Sequence, residues 1–215
     1  MKLRISFYRA LACVSSVFIV YALIKIYVVD PEAVHFLSFK TDLKRELKLP
    51  LWLNVMYVHV AFACIAMAAG LLNFSNRLFE KSRKLHRWSG YIYLLSVLLV
   101  ILTSGYMAPY ATGGKISSIG FNFLNIVWML ITAVAFVQIK RKRIISHRNW
   151  MIRSYAFCFT NMIIHLITAL LHQVFHYSYP SSYTIGIYGA IAILLITAEL
   201  IIRALDRNGT QTLIY

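Results

Sequence analysis

Acidic side chains are scarce in this chain, with seven Asp and Glu set against 22 Lys and Arg in 215 residues. Glu199 is the one acid within a long apolar run, which leaves little for a transporter that relays protons through buried carboxylates. Cysteine is equally thin. Cys13, Cys64 and Cys158 stand far apart, all in apolar runs and with no CxxC pair. They read as small core hydrophobes, not as a disulfide framework or a thiolate metal site. No GxSxG, HExxH or phosphate-cradling Gly-rich loop occurs, so nucleophilic and zinc-hydrolase chemistry find no support. The apolar runs also lack the period-two alternation of a membrane β-barrel.

Apolar length is what the chain has instead. Hydrophobic residues make up 60% and charged residues 13%, outside the usual range of water-soluble domains. A helix rises about 1.5 Å per residue across a hydrocarbon layer about 30 Å thick, so each span needs about 20 residues. Six runs qualify: 10–29, 51–74, 88–107, 119–139, 150–175 and 184–205. The expected fold is all-α, a polytopic six-span transmembrane helical bundle forming a single integral membrane domain over 1–215, with no extramembrane domain. Asp30-Pro31 stops the first span and Pro50 precedes the second. Gly105, Pro109, Gly113 and Gly114 separate the third from the fourth, and Pro180 separates the fifth from the sixth. Lys2, Arg4 and Arg9 before the first run also suit a signal peptide. That run is too long for an h-region and no small-x-small cleavage site follows, so it is read as a retained helix, with Lys25 snorkelling to the headgroups.

The bases alternate between loops. With the N-terminus inside, sixteen lie on the inner side: Lys2, Arg4, Arg9, Arg77, Lys81, Arg83, Lys84, Arg87, Lys140, Arg141, Lys142, Arg143, Arg148, Arg153, Arg203 and Arg207. Lys40, Lys44, Arg45, Lys48 and Lys115 are the five on the outer side. This asymmetry predicts both termini in the cytoplasm. A formal net charge of +15 could suggest nucleic acid. These bases flank spans and match no nucleic-acid-binding module, so anionic membrane lipids are the expected partner.

Polar residues inside spans must face other helices or a cavity. In span five Ser154, Cys158, Asn161, His165, Thr168 and His172 recur at three-four spacing, predicting one polar face turned toward the bundle. Interhelical hydrogen bonding and a ligand or cofactor site both fit that stripe. His59 lies seven residues from Trp52, about 10 Å below the outer surface, and His165 lies fifteen residues from Trp150, about 22 Å above the inner one. Two imidazoles at one depth on facing helices could clamp the iron of a haem b. The plainer alternative is a single buried histidine bonded to a neighbouring hydroxyl. Near the inner surface, His86-Arg87 opens span three and His147-Arg148 opens span five, each followed by tryptophan. These pairs suit a lipid phosphate, a quinone carbonyl or a haem propionate, or plain interfacial anchoring. Arg153, one turn inside the span, needs an acceptor. Glu199 is a candidate, although pairing of Glu199 with Arg203 four residues on is the simpler arrangement.

The string HVAFACIAMAAGLLNFSNRLFEKSRKLHRWSGYIY from His59, the glycine pair Gly113-Gly114 and SHRNWMIRSYA from Ser146 together resemble the bacterial membrane proteins grouped as domain of unknown function 2306. The likeness covers about half the chain, roughly 54–170, and its matching positions include His59, Gly70, Arg77, His86, Arg87, Gly90, Gly114, Trp128, His147, Arg148, Trp150 and Arg153. Where that family has arginine in the fifth span this chain has His165, so the resemblance supports His59, His86 and His147 rather than a shared His59–His165 clamp. It implies the architecture and a bacterial cytoplasmic membrane, and no activity. A looser similarity to six-helix cytochromes b rests on histidines in successive spans and the HR-x-x-G string at His86, and is analogy alone. The functional expectation is a haem- or quinone-linked membrane redox protein. His59 and His165 would be the iron ligands, and His86, His147, Arg87, Arg148 and Arg153 the inner polar site. The alternatives are a non-enzymatic lipid-binding or small-solute transport protein, or a membrane scaffold.

Overall fold

The computed structural model describes residues 2–40 and 46–207. Lys44 and Arg45, counted above among the outer bases, lie outside the described residues, as do the side chains of Lys2, Arg4 and Arg77. Among the described residues all regular structure is helical, and six helical stretches are long and apolar enough to cross a membrane. They are Phe7–Val29, Leu49–Asn73, Arg83–Tyr110, Gly114–Lys140, Ile144–Val174 and Tyr179–Arg207.

In chain order the helices are α1 (Lys2–Ile24), continued by a π turn over Lys25–Val29, α2 (Val34–Leu37), α3 (Leu49–Asn73), α4 (Asn76–Lys81) and α5 (Arg83–Met107). A 3-10 turn at Ala108–Tyr110 follows, then α6 (Gly114–Lys140), α7 (Ile144–Ala156), a 3-10 turn at Phe157–Phe159 and α8 (Thr160–Ala169). A π turn over Leu170–Val174 leads to α9 (Tyr179–Arg207). Several of these helices begin earlier than hydropathy suggests. Span three starts at Arg83 rather than Trp88, and span five at Ile144 rather than Trp150, because Ser, His and Arg end an apolar run without ending a helix. A backbone entering lipid gains from having its hydrogen bonds closed before it leaves the headgroup layer.

Local signals fix the ends. Asp30 closes the first span by donating its N–H to the Lys25 carbonyl and then accepts from the N–H of Val34 at 2.8 Å, starting α2. Pro50 occupies the first turn of α3, where its missing donor is not needed. Ser75 and Ser82 cap α4 and α5 through the N–H groups of Leu78 and Leu85. Gly113, with φ of 87°, starts α6 in the left-handed region and leaves it without a side-chain cap.

The chain divides into two compact units. The first comprises Met1–His35 and Pro50–Thr103. Within it Tyr27 stacks on Tyr57 with ring centroids 5.4 Å apart and donates to the Tyr57 carbonyl, while Tyr57 donates to the Pro31 carbonyl. Asn73 ties α3 to α5: its amide nitrogen donates to Ser89 Oγ and to the His86 carbonyl, and its oxygen accepts from the N–H of Gly90 at 3.2 Å.

The second unit comprises Phe36–Leu49 and Ser104–Tyr215. Its described helices α6, α8 and α9 meet around Ile164, Tyr183, Ile187 and Ala190, with Phe121, Ile163 and Tyr179 against them, and α7 packs against α6 and α9. Glycines allow the close approach. A Cβ at Gly186 would lie 3.0 Å from the Ile164 carbonyl and from Thr168 Oγ1, and one at Gly120 would lie 2.9 Å from Ile187. Small residues at such crossings let membrane helices gain van der Waals contact that lipid would otherwise supply.

Span five departs from a single regular helix. The 3-10 turn over Phe157–Phe159 winds at about three residues per turn and shifts the phase of everything after it. The three-four stripe is therefore divided: Ser154 and Thr168 are buried and Cys158 is half-buried, whereas Asn161, His165 and His172 are exposed. The expectation that the whole stripe turns into the bundle is corrected accordingly.

Candidate functional site

His59 projects from α3 toward α5, where its Nδ1 lies 2.9 Å from Thr103 Oγ1. Thr103 Oγ1 is 2.7 Å from the Leu99 carbonyl and 3.0 Å from that of Val100, so its single proton is directed to its own helix. The hydroxyl therefore accepts from His59, which fixes the imidazole with the proton on Nδ1 and the lone pair on Nε2. This is the single histidine bonded to a neighbouring hydroxyl that the sequence left open beside the iron clamp. Thr103 was not anticipated; the one signal for it was a hydroxyl within span three.

His165, on α8, faces Tyr183 with ring centroids 6.4 Å apart and is exposed. The two candidate iron ligands belong to different units, His59 to the first and His165 to the second. Among the described residues no three His, Cys, Asp or Glu converge as a metal site.

The two His-Arg pairs occupy equivalent places in their helices, each the fourth and fifth residues. His86 is half-buried and Arg87 exposed on α5 in the first unit. His147 and Arg148 on α7, in the second unit, are held more tightly. His147 Nδ1 lies 2.8 Å from the Ala135 carbonyl, which can only accept, so Nδ1 carries the proton and Nε2 is the acceptor nitrogen. Arg148 is 3% exposed and donates through Nε and Nη2 to Asn149 Oδ1 and through Nη2 to Asp206 Oδ1 at 3.0 Å. Hydropathy alone ends span six at Leu205, before Asp206. Continuation of α9 to Arg207 makes it a second acid on a spanning helix, correcting the reading that Glu199 stands alone.

Arg153 finds its acceptor across the helix interface. Its Nε donates to Glu199 Oε1 at 2.5 Å and its Nη2 to Oε2 at 3.2 Å, a forked pair. Its guanidinium carbon also stands 4.6 Å from the Trp150 ring centroid. Glu199 is thus bridged to α7, not paired solely with Arg203 on its own helix. The simpler pairing loses because a carboxylate on the α9 face toward α7 meets the flat fork of Arg153 directly. The next residue, Ser154, joins α6 to α7: Trp128 Nε1 donates to its Oγ at 3.3 Å, and Thr132 Oγ1 lies 2.7 Å from it. Span five is therefore anchored to both neighbours along one flank, with Ser154 and His147 on α6 and Arg148 and Arg153 on α9. Of the sequence-selected inner residues, His147, Arg148 and Arg153 lie together on α7, and His86 and Arg87 lie on α5.

Comparison with curated proteins and with solved structures finds no match. The family described as predicted membrane proteins, domain of unknown function 2306, matches residues 56–202. That range contains His59, both His-Arg pairs, Arg153 and Glu199 together with five of the six spanning stretches in whole or large part. With residues 56–202 matched, this membrane-spanning chain belongs to the family of predicted membrane proteins described as domain of unknown function 2306.

Proposed function

We propose that this chain is a membrane-embedded redox protein that binds a b-type haem through His59 Nε2. The orientation proposed with it, both termini in the cytoplasm, rests on the distribution of bases. The observation that carries the reading is the hydrogen bond from His59 Nδ1 to Thr103. Metal-bound histidines donate their other ring proton to a fixed acceptor, which orients the ring and raises the basicity of the ligating nitrogen. A haem iron takes four ligands from the porphyrin and one or two from protein, so it needs no three-residue protein cluster. Bound there, the haem would supply one-electron chemistry. Thr103 holds the His59 ring, and a quinol at the inner pair would donate an O–H to His147 Nε2, the acceptor nitrogen there.

The absorbance spectrum of protein purified from haem-replete cells tests this. A Soret band that shifts on reduction, disappears in His59→Ala and moves in potential in Thr103→Val is expected. Colourless wild-type protein would overturn it. A second reading, a lipid-binding or small-solute transport protein, draws on the exposed Lys140–Arg143 segment and on Arg153. Colourless protein that copurifies with phospholipid, and loses it in Arg153→Ala, would select that reading.

A further inference from the structure

Where α6 ends and α7 begins, four consecutive cations, Lys140, Arg141, Lys142 and Arg143, stand exposed. We propose that this segment binds the headgroup of an anionic phospholipid, with the phosphate held by these four side chains. The proposal rests on the lipid-binding reading and deepens it by naming a lipid class and a site. Both acids of α9 are already engaged, Asp206 by Arg148 at 3.0 Å and Glu199 by the fork of Arg153. Among the described residues no ion pair reaches any of the four bases, so their charge is uncompensated within the protein.

Their depth decides which anion they meet. One spanning stretch ends at Lys140 and the next starts at Ile144, leaving only Arg141–Arg143 between them. Side chains tethered so closely to two spans stay in the headgroup layer, where an anionic leaflet concentrates phosphate. Exposed apolar residues flank them, Val137 and Ile139 on one side and Ile144 and Ile145 on the other. These neighbours seat the segment at the acyl boundary, level with lipid phosphates and away from the water in which an acidic protein or a nucleic acid would approach.

The backbone holds the bases in one tight bend. Arg141 donates its N–H to the Val137 carbonyl, Lys142 to that of Ile139 and Arg143 to that of Gln138, each at 3.0 Å. This closes α6 with Lys142 in the left-handed region, φ of 59°, a place where helices commonly set glycine. A lysine there carries a conformational cost that glycine would avoid. Strain of this kind is kept where the side chain serves a ligand. Lys140 lies back along α6 with its Nζ 5.2 Å from the centroid of the exposed Phe136 ring, which turns its charge toward the lipid-facing flank.

The test titrates the full chain in dodecyl maltoside micelles with dioleoylphosphatidylglycerol and, separately, with dioleoylphosphatidylcholine, and reads bound lipid by native mass spectrometry. Tighter binding of phosphatidylglycerol is expected, weakened about fivefold by Arg141→Gln or Arg143→Gln and lost when Lys140→Gln, Arg141→Gln, Lys142→Gln and Arg143→Gln are combined. Lys142→Gly separates binding from folding, because it should raise the unfolding temperature by relieving the left-handed residue while it weakens phosphatidylglycerol binding. Equal affinity for the two lipids, or a phosphatidylglycerol preference that survives in the fourfold variant, overturns the proposal. So does heparin that binds more tightly than phosphatidylglycerol, since the segment would then serve a soluble polyanion. Phospholipid lost in Arg153→Ala, with the preference intact in the fourfold variant, would keep the lipid-binding reading and sink this site alone.

Discussion

The forked ion pair between Arg153 and Glu199 joins two spanning helices, and its energetic weight can be bounded from its geometry. Arg153 is 21% exposed and Glu199 43%. Fully exposed pairs contribute up to about 1 kcal/mol, while breaking a fully buried one costs about 3–5 kcal/mol because a charge is stranded. Polar pairs between membrane helices couple by about 0.6 kcal/mol on average and about 1.7 at most. Two parallel N–H···O contacts at 2.5 and 3.2 Å place this pair toward the upper end of that range, so a coupling of about 1.5 kcal/mol is expected. Glu199→Leu strands a guanidinium that keeps the Trp150 ring as its remaining strong contact, and Arg153→Met strands a half-exposed carboxylate. Each single variant should lose about 2 kcal/mol, whereas the double variant should lose about 1.5 kcal/mol less than their sum, because apolar residues replace both charges at once. Unfolding by sodium dodecyl sulfate in mixed micelles, followed by tryptophan fluorescence, measures all four corners of the cycle. Losses that add to within about 0.5 kcal/mol would show that the two charges are solvated independently and that the pair does not hold α7 to α9.

Other consequences are simpler to read. Ser154→Ala leaves Trp128 Nε1 without its acceptor inside the second unit, so a loss of about 1–3 kcal/mol and altered Trp128 emission are expected; unchanged stability and spectrum would remove Ser154 as a joint. Gly113→Ala meets both a positive φ and oxygens 2.3 and 2.5 Å from the new Cβ, whereas Gly114, with φ of 67°, has open space. Thermal unfolding should show Gly113→Ala as the costlier change, with Gly114→Ala near the 1–2 kcal/mol of a left-handed alanine; equal losses would contradict the close approach. Burial pushes the Lys40 ammonium down to about 8 from its ordinary 10.5. Between those values the unfolded chain holds a proton that the folded chain has lost, so stability should rise with pH from about 8 to 10.5. Lys40→Met should flatten that rise in the same micelle unfolding assay, and a rise that persists in the variant would assign it elsewhere.

The fold was legible because its cause is one-dimensional. A run of apolar residues long enough to span lipid has to be helical, since every peptide group must find its partner within the segment. What hydropathy misplaced were ends. Residues Arg83–Arg87 and Ile144–Asn149 are polar enough to stop an apolar count, yet the helices run through them, and Asp206 was lost beyond span six for the same reason. The polar stripe of span five failed differently: a three-four count assumes 3.6 residues per turn throughout, and one 3-10 turn at Phe157–Phe159 separates Ser154 from His165 in phase.

The candidate site was half legible for a related reason. Chemical identity selects His59, His147, Arg148 and Arg153, because hydrocarbon penalises each of them without a partner. Partner choice depends on which face of another helix arrives opposite, and that depends on helix rotation, which no local spacing encodes. So Glu199 could be named as one acceptor for Arg153 while Arg203, four residues away, looked nearer, and Thr103, Asp206 and the Ala135 carbonyl carried no mark of their roles.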